Sequence, residues 1–147
     1  MPNNDPIYSK QGAISLNPAN YLGKTSYRTS TYDGTNATTD QIIFTADATN
    51  GSFVQRLRFK AMGGANATAA VARIWINNGS AQTTATNNAF IGELSLPVTA
   101  TSTTAATVDI DYPLNFALPA GYKIIVGVSS SADLTGGWTV TAIAGNY

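Results

Sequence analysis

SFVQRLRFKA, residues 52–61, decides how the rest of the chain is read. Leu57 and Phe59 point one way from this stretch, and Arg56, Arg58 and Lys60 point the other. A period of two puts successive side chains on opposite faces, which is the pattern of a strand with one buried side and one wet side. Just upstream, Ala48-Thr-Asn-Gly51 carries a turn signal with Asn-Gly at its centre, and Gln41-Ile-Ile-Phe-Thr45 before it is a short β-rich run. Downstream, Gly63-Gly64 and an Ala/Asn stretch lead into Ala70–Ile76, which Asn77-Asn78-Gly79 closes. A polar loop over 80–87 precedes Ala89–Leu96, and Pro97 stops that run. Thr107–Tyr112, Leu114–Leu118, Tyr122–Val128 and Trp138–Ile143 follow, divided by Pro, Gly and Thr-rich turns.

Short strands at near-regular spacing, with no helix-length period competing with them, predict an all-β sandwich or barrel. About eight antiparallel strands with unequal loops favour a jelly roll over an immunoglobulin-like sandwich. The sandwich domain is expected over residues 39–147. Residues 1–38 read differently. Pro2, Pro6 and Pro18 punctuate them, yet Ile7, Tyr8, Ile14, Leu16, Tyr21, Leu22, Tyr27 and Tyr32 are spaced through them. A free tail would seldom carry so many large apolar groups. The expectation is an extended N-terminal arm that packs on something, with one short strand near Ala13–Leu16.

Composition narrows the function. The 147 residues hold eight basic and eight acidic groups, for a formal net charge of +0. Charged residues make up 11% of the chain, against about 25% in typical soluble domains. A nucleic-acid binder would show a basic excess, and none is present. The absence of cysteine excludes disulfides and thiolate metal sites, and the absence of histidine removes the commonest general base and the commonest zinc ligand. No apolar run approaches the ~18 residues of a membrane span, so no membrane partner is expected. The start, MPNNDPIYSKQG, lacks both the charged and the apolar segments of a secretion signal, which predicts synthesis in a cytoplasm without export by that route. Four Asn-Gly/Ala-Ser/Thr triplets, at Asn36, Asn50, Asn66 and Asn78, read as turn chemistry.

Against so few charges, two clusters stand out. Arg56, Arg58 and Lys60 share one strand face, and Asp109 and Asp111 share another, opposite Val108 and Ile110. The plainer reading makes both faces the solvent sides of half-buried strands. If the strands are neighbours, the charges pair across the ladder. The functional reading makes them docking surfaces for a partner. Asp109 and Asp111 do not form a calcium loop, because Ile110 and Tyr112 make the segment a strand. The eight acidic groups form no motif linking two of them for glycoside cleavage. No phosphate-binding loop and no GxSxG nucleophile motif occurs. The expectation is a protein that is not an enzyme and needs no cofactor. Trp75 and Trp138 read as core by default, with sugar stacking as the rival role should aromatics be exposed among polar neighbours.

The stretches FVQRLRFKAMG, VARIWINNGS, NNAFIGELSLP and LPAGYKIIVGVSSSADLTGGWTVTAIAGNY resemble a family of small structural proteins of tailed bacteriophages and prophages. The resemblance covers most of residues 41–147 and leaves the arm outside it. Its motifs are turns and core strands that support a fold and carry no chemical signature. It implies a virion component of jelly-roll or related β-sandwich form, a decoration or cement protein seated on the capsid exterior and made in the bacterial host cytoplasm. It also implies the major capsid protein as partner and a small symmetric oligomer, trimer favoured and dimer possible. The residues placed at contacts with the capsid or a neighbouring subunit are Tyr21, Lys24, Tyr27 and Arg28 in the arm and Arg56, Arg58, Lys60, Asp109 and Asp111 on the strands. A tail- or fibre-associated protein that binds host-surface glycans is the alternative.

Overall fold

A computed structural model describes residues 11–14, 32–61, 69–100, 102–129 and 138–147. Among them are eight strands: β1 (Gln11–Ile14), β2 (Gln41–Thr45), β3 (Ser52–Ala61), β4 (Ala70–Asn77), β5 (Asn88–Leu96), β6 (Asp109–Leu118), β7 (Lys123–Ser129) and β8 (Trp138–Asn146). A single 3₁₀ turn, Ala85–Asn87, leads into β5. The strands form two four-stranded antiparallel sheets, ordered β1-β8-β3-β6 and β2-β7-β4-β5. The pairings are nested: β4 with β5, β3 with β6, β2 with β7 and β1 with β8. The chain is in effect one long hairpin whose successive pairs fall alternately on the two sheets. That is the jelly roll, and it distinguishes the fold from the immunoglobulin-like alternative.

The period of two in the sequence becomes the core. From the first sheet, Val54, Leu57 and Phe59 on β3 and Trp138, Val140 and Ala142 on β8 turn inward. From the second, Ala72 and Ile74 on β4 and Ile124, Val126 and Val128 on β7 meet them. Each large side chain so buried contributes about 1.5–3 kcal/mol. Gly92 on β5 leaves room for the Tyr112 hydroxyl of β6, which a Cβ at that position would strike. The Trp138 indole N–H is buried with no hydrogen-bond partner among the described residues.

One sequence expectation is corrected. Thr107–Tyr112 and Leu114–Leu118 read as two strands split by Pro113, but β6 runs through the proline. Strand β6 lies at the edge of its sheet with β3 as its one partner, and an edge is where a strand tolerates a residue without an N–H. The ladder is irregular there. Val54 pairs with Phe116 and Arg56 with Pro113, so Gln55 faces both Leu114 and Asn115. Asn115 takes up the extra residue with a φ of 52°. A second irregularity lies on β3 itself: Val54 pairs with Ala144 and Arg56 with Ile143, so Gln55 is an extra residue against β8, and the inward phase shifts so that Val54 and Leu57 both face the core. The count of eight therefore includes β1, which the sequence placed slightly later, near Ala13–Leu16.

Two parts of the region read as an arm lie on the sandwich. Strand β1 adds to the edge of the first sheet beside β8, with Ala13 packed on the core and Ile14 exposed. Residues 32–40 pack against the outer face of the second sheet. Gly34 sits so close to Trp75 that a Cβ there would lie 3.1 Å from the indole ring. Five side chains on the sheet and its loops, Arg73, Trp75, Gln82, Asn88 and Phe90, grip this segment by its carbonyls or pack against it.

Candidate functional site

The charge ladder that the sequence suggested is formed. Strands β3 and β6 are neighbours, and their register sets Arg58 opposite Asp111 and Lys60 opposite Asp109 on the outer face of the first sheet. The Arg58 guanidinium donates through Nε to Asp111 Oδ1 at 2.9 Å and through Nη2 to Oδ2 at 3.1 Å, a two-pronged fork. Arg56 Nε stands 3.4 Å from the same carboxylate, while its Nη1 donates to Gln55 Oε1 at 2.8 Å. The hydrogen bond from Arg58, aided by the charges of Arg58 and Arg56, holds the Asp111 carboxyl below its ordinary value. In return, the Arg58 guanidinium is held above its own.

The other two charges are used less fully. Lys60 turns from Asp109 and donates to the Thr107 carbonyl at 2.6 Å. Among the described residues, the Asp109 carboxylate has one ion-pair approach, Arg58 Nη2 at 3.9 Å, and it is 48% exposed. On the far side of β3 the face continues with β8, where Thr139 stands opposite Lys60, Thr141 opposite Arg58 and Ile143 opposite Arg56. The result is an open surface with a basic row on β3 and an acidic row on β6. Arg56, Arg58, Lys60, Asp109 and Asp111 are thus brought together. Tyr21, Lys24, Tyr27 and Arg28 lie outside the described residues.

The outer face of the second sheet carries a group that the sequence did not reveal. Ile42, Ile125, Trp75 and Phe90 form one row across β2, β7, β4 and β5. Ile125 and Trp75 are fully buried although they point away from the core between the sheets. The Trp75 indole N–H donates to the Tyr32 carbonyl at 2.9 Å. Gln82 Nε2 donates to the carbonyls of Gly34 and Asp40, and Asn88 Nδ2 to that of Asp33. Tyr32 meets Phe90 edge-on at 5.7 Å, and the Arg73 guanidinium lies 3.7 Å from the centre of the Tyr32 ring while pairing with Glu93 at 3.1 Å. These contacts clamp residues 32–40 onto the sheet.

This arrangement bears on sugar stacking. Both tryptophans are fully buried, Trp138 in the core and Trp75 beneath the clamped segment, so neither offers a ring face to a ligand. Among the described residues, the exposed aromatics are Tyr32 and Phe90. The turn reading of the Asn triplets is seen at two of them, where Asn36 Oδ1 accepts from Thr38 N–H and Asn78 Oδ1 from Ser80 N–H. Among the described residues, no three Asp or Glu side chains gather closely enough to hold a metal ion. No helix there is long and apolar enough to cross a membrane. No protein-family model, curated protein or solved structure matches the chain.

Proposed function

We propose that the chain is a bacteriophage virion protein, a decoration protein that binds the outside of the major capsid shell and stabilises it. The observation that carries this reading is the ladder face. A chain with only eight basic and eight acidic residues sets three of the first and two of the second on one open sheet surface. The carboxylates there are aligned along one face of a strand and engaged by arginine, which suits docking better than acid–base chemistry. The resemblance of most of residues 41–147 to phage structural proteins supports the same reading. In it, Tyr21, Lys24, Tyr27 and Arg28 grip the shell.

Antibody labelling of intact particles made by the genome that carries this gene tests the proposal. Label spread over the head is expected. Label at the tail, or none on particles, overturns it. A second reading, glycan binding by a tail-associated protein, draws on exposed Tyr32 and Phe90 beside the Arg73–Glu93 pair and predicts the tail-tip pattern. Truncation at residue 35 is a poor test of the arm, because it removes β1 and cuts the segment clamped on Trp75. Replacing Tyr21, Lys24, Tyr27 and Arg28 together by Ser leaves both in place, and loss of binding to undecorated heads is the expected result.

A further inference from the structure

We infer that the ladder face is self-complementary and that two copies of the chain pair through it face to face about a two-fold axis. This names a second copy as the partner of the ladder face in the free protein; on a particle the capsid would displace it as the occupant of that face, and the sedimentation test below is read apart from the location of label on virions.

The argument is geometric. Strands β3 and β6 are adjacent, and their charged residues stand at matched heights, Arg58 beside Asp111 and Lys60 beside Asp109. Consider a two-fold axis parallel to the strands, above the face and midway between the two rows. Rotation about it leaves height along the strand unchanged and exchanges left for right. The basic row of one copy then lies over the acidic row of the other. Arg58 faces Asp111 of the second copy, and Lys60 faces Asp109. A face with its two signs mixed within each strand would not do this. Here each strand carries one sign, and the register keeps opposite signs level.

Details of the face agree. Of the two carboxylates on the face, Asp109 is the less provided for among the described residues, with one approach at 3.9 Å, and it stands where the second copy brings its Lys60. Side chains of Arg58, Asp109 and Asp111 are 40–48% exposed and so accessible. Beyond the charges, Phe53 is level with Ala117, so the same rotation sets apolar on apolar at the other end of the face. The rival contact, edge to edge along β6, is obstructed. Pro113 has no N–H, Asn115 leaves the extended conformation, and two acidic rows would be brought side by side. Charged faces keep part of their hydration cost on pairing, so the contact is expected to be reversible and sensitive to salt.

Sedimentation equilibrium of the purified chain at about 10 mM and about 1 M salt, where the screening length is about 30 Å and 3 Å, reads the association directly. A dimer at low salt that dissociates at high salt is expected. The variant D109K/D111K makes the face wholly basic, and R56D/R58D/K60D makes it wholly acidic. Each alone should lose at least about tenfold in association constant, and their equimolar mixture should recover a dimer. Should either reversal variant fail to fold by circular dichroism, the neutral D109N/D111N and the salt series of the unaltered chain give the same reading. A monomer at low salt up to about 1 mM chain overturns the inference, as does a dimer that reversal leaves intact. A trimer also overturns it, because one isologous face closes at two copies.

Discussion

On the outer face of the second sheet, Trp75 is wholly buried under Gly34 and the Tyr32 carbonyl; on the outer face of the first, Arg58 keeps 45% of its side chain in solvent. Both faces belong to four-stranded sheets of one jelly roll, yet one is covered by the chain itself and the other is not. The covered face holds an apolar row, Ile42–Ile125–Trp75–Phe90, which would cost solubility if bare. The open face holds charges that pair along the sheet and remain in water. Apolar residues pointing away from the core here mark where the chain packs on itself. The open charged ladder is where an external contact is to be sought.

Substitutions can break this contrast. The largest effect is expected from Trp75→Ala, which empties the space beneath the clamped segment and removes its hydrogen bond to Tyr32. A loss of about 3–5 kcal/mol in urea unfolding is predicted, together with faster amide exchange over residues 35–40. Next comes Gln82→Ala. It strips two carbonyls, those of Gly34 and Asp40, of their buried donor, at a cost of about 1–3 kcal/mol by the same assay. Gly34→Ala sharpens the comparison by adding a single methyl. With φ at +66° and a Cβ 3.1 Å from the Trp75 ring, it should cost about 1–2 kcal/mol, whereas Gly12→Ala on β1, with nothing within 4 Å of its Cβ, should be nearly silent.

The ladder should give the smallest effect on stability. Because the Asp111 carboxyl is held below its ordinary value near 3.8, folding stability gained from it is complete above that value and is lost as the pH falls through the lower folded one. Asp111→Asn should therefore differ from the unaltered chain above about pH 4 and converge with it under more acid conditions. Stability measured from about pH 6 to about pH 2 checks the sign. A gap that widens toward acid would show the pairing to be misassigned.

Much of the fold was legible because half-buried strands announce themselves by alternation. Gln41–Thr45 and Ser52–Ala61 are the strands that the pattern predicts, to the residue. Pro113 misled because a proline ends a central strand, and nothing local says that β6 is an edge. The ladder was legible for two reasons. Charges are scarce enough for a cluster to show, and alternation fixes which face they occupy. Only the pairing of β3 with β6 and its register had to come from the structure. The clamp over Trp75 was not legible. Its acceptors are the backbone carbonyls of Tyr32, Asp33, Gly34 and Asp40, and every residue has one. Of its donors, Trp75 read as core, and Gln82 and Asn88 sit in a loop and at a strand start where such side chains are ordinary. The available hint was Gly34 in YDGTN, a glycine between an aromatic residue and a turn.

One face of the molecule holds the chain together, and the other is the face proposed to meet other molecules. The most direct test is sedimentation equilibrium at low salt of two folded variants side by side, D109K/D111K on the open ladder and Y32S/F90S on the covered face. The account predicts a monomer for the first and a dimer for the second. A dimer for the first and a monomer for the second would contradict it.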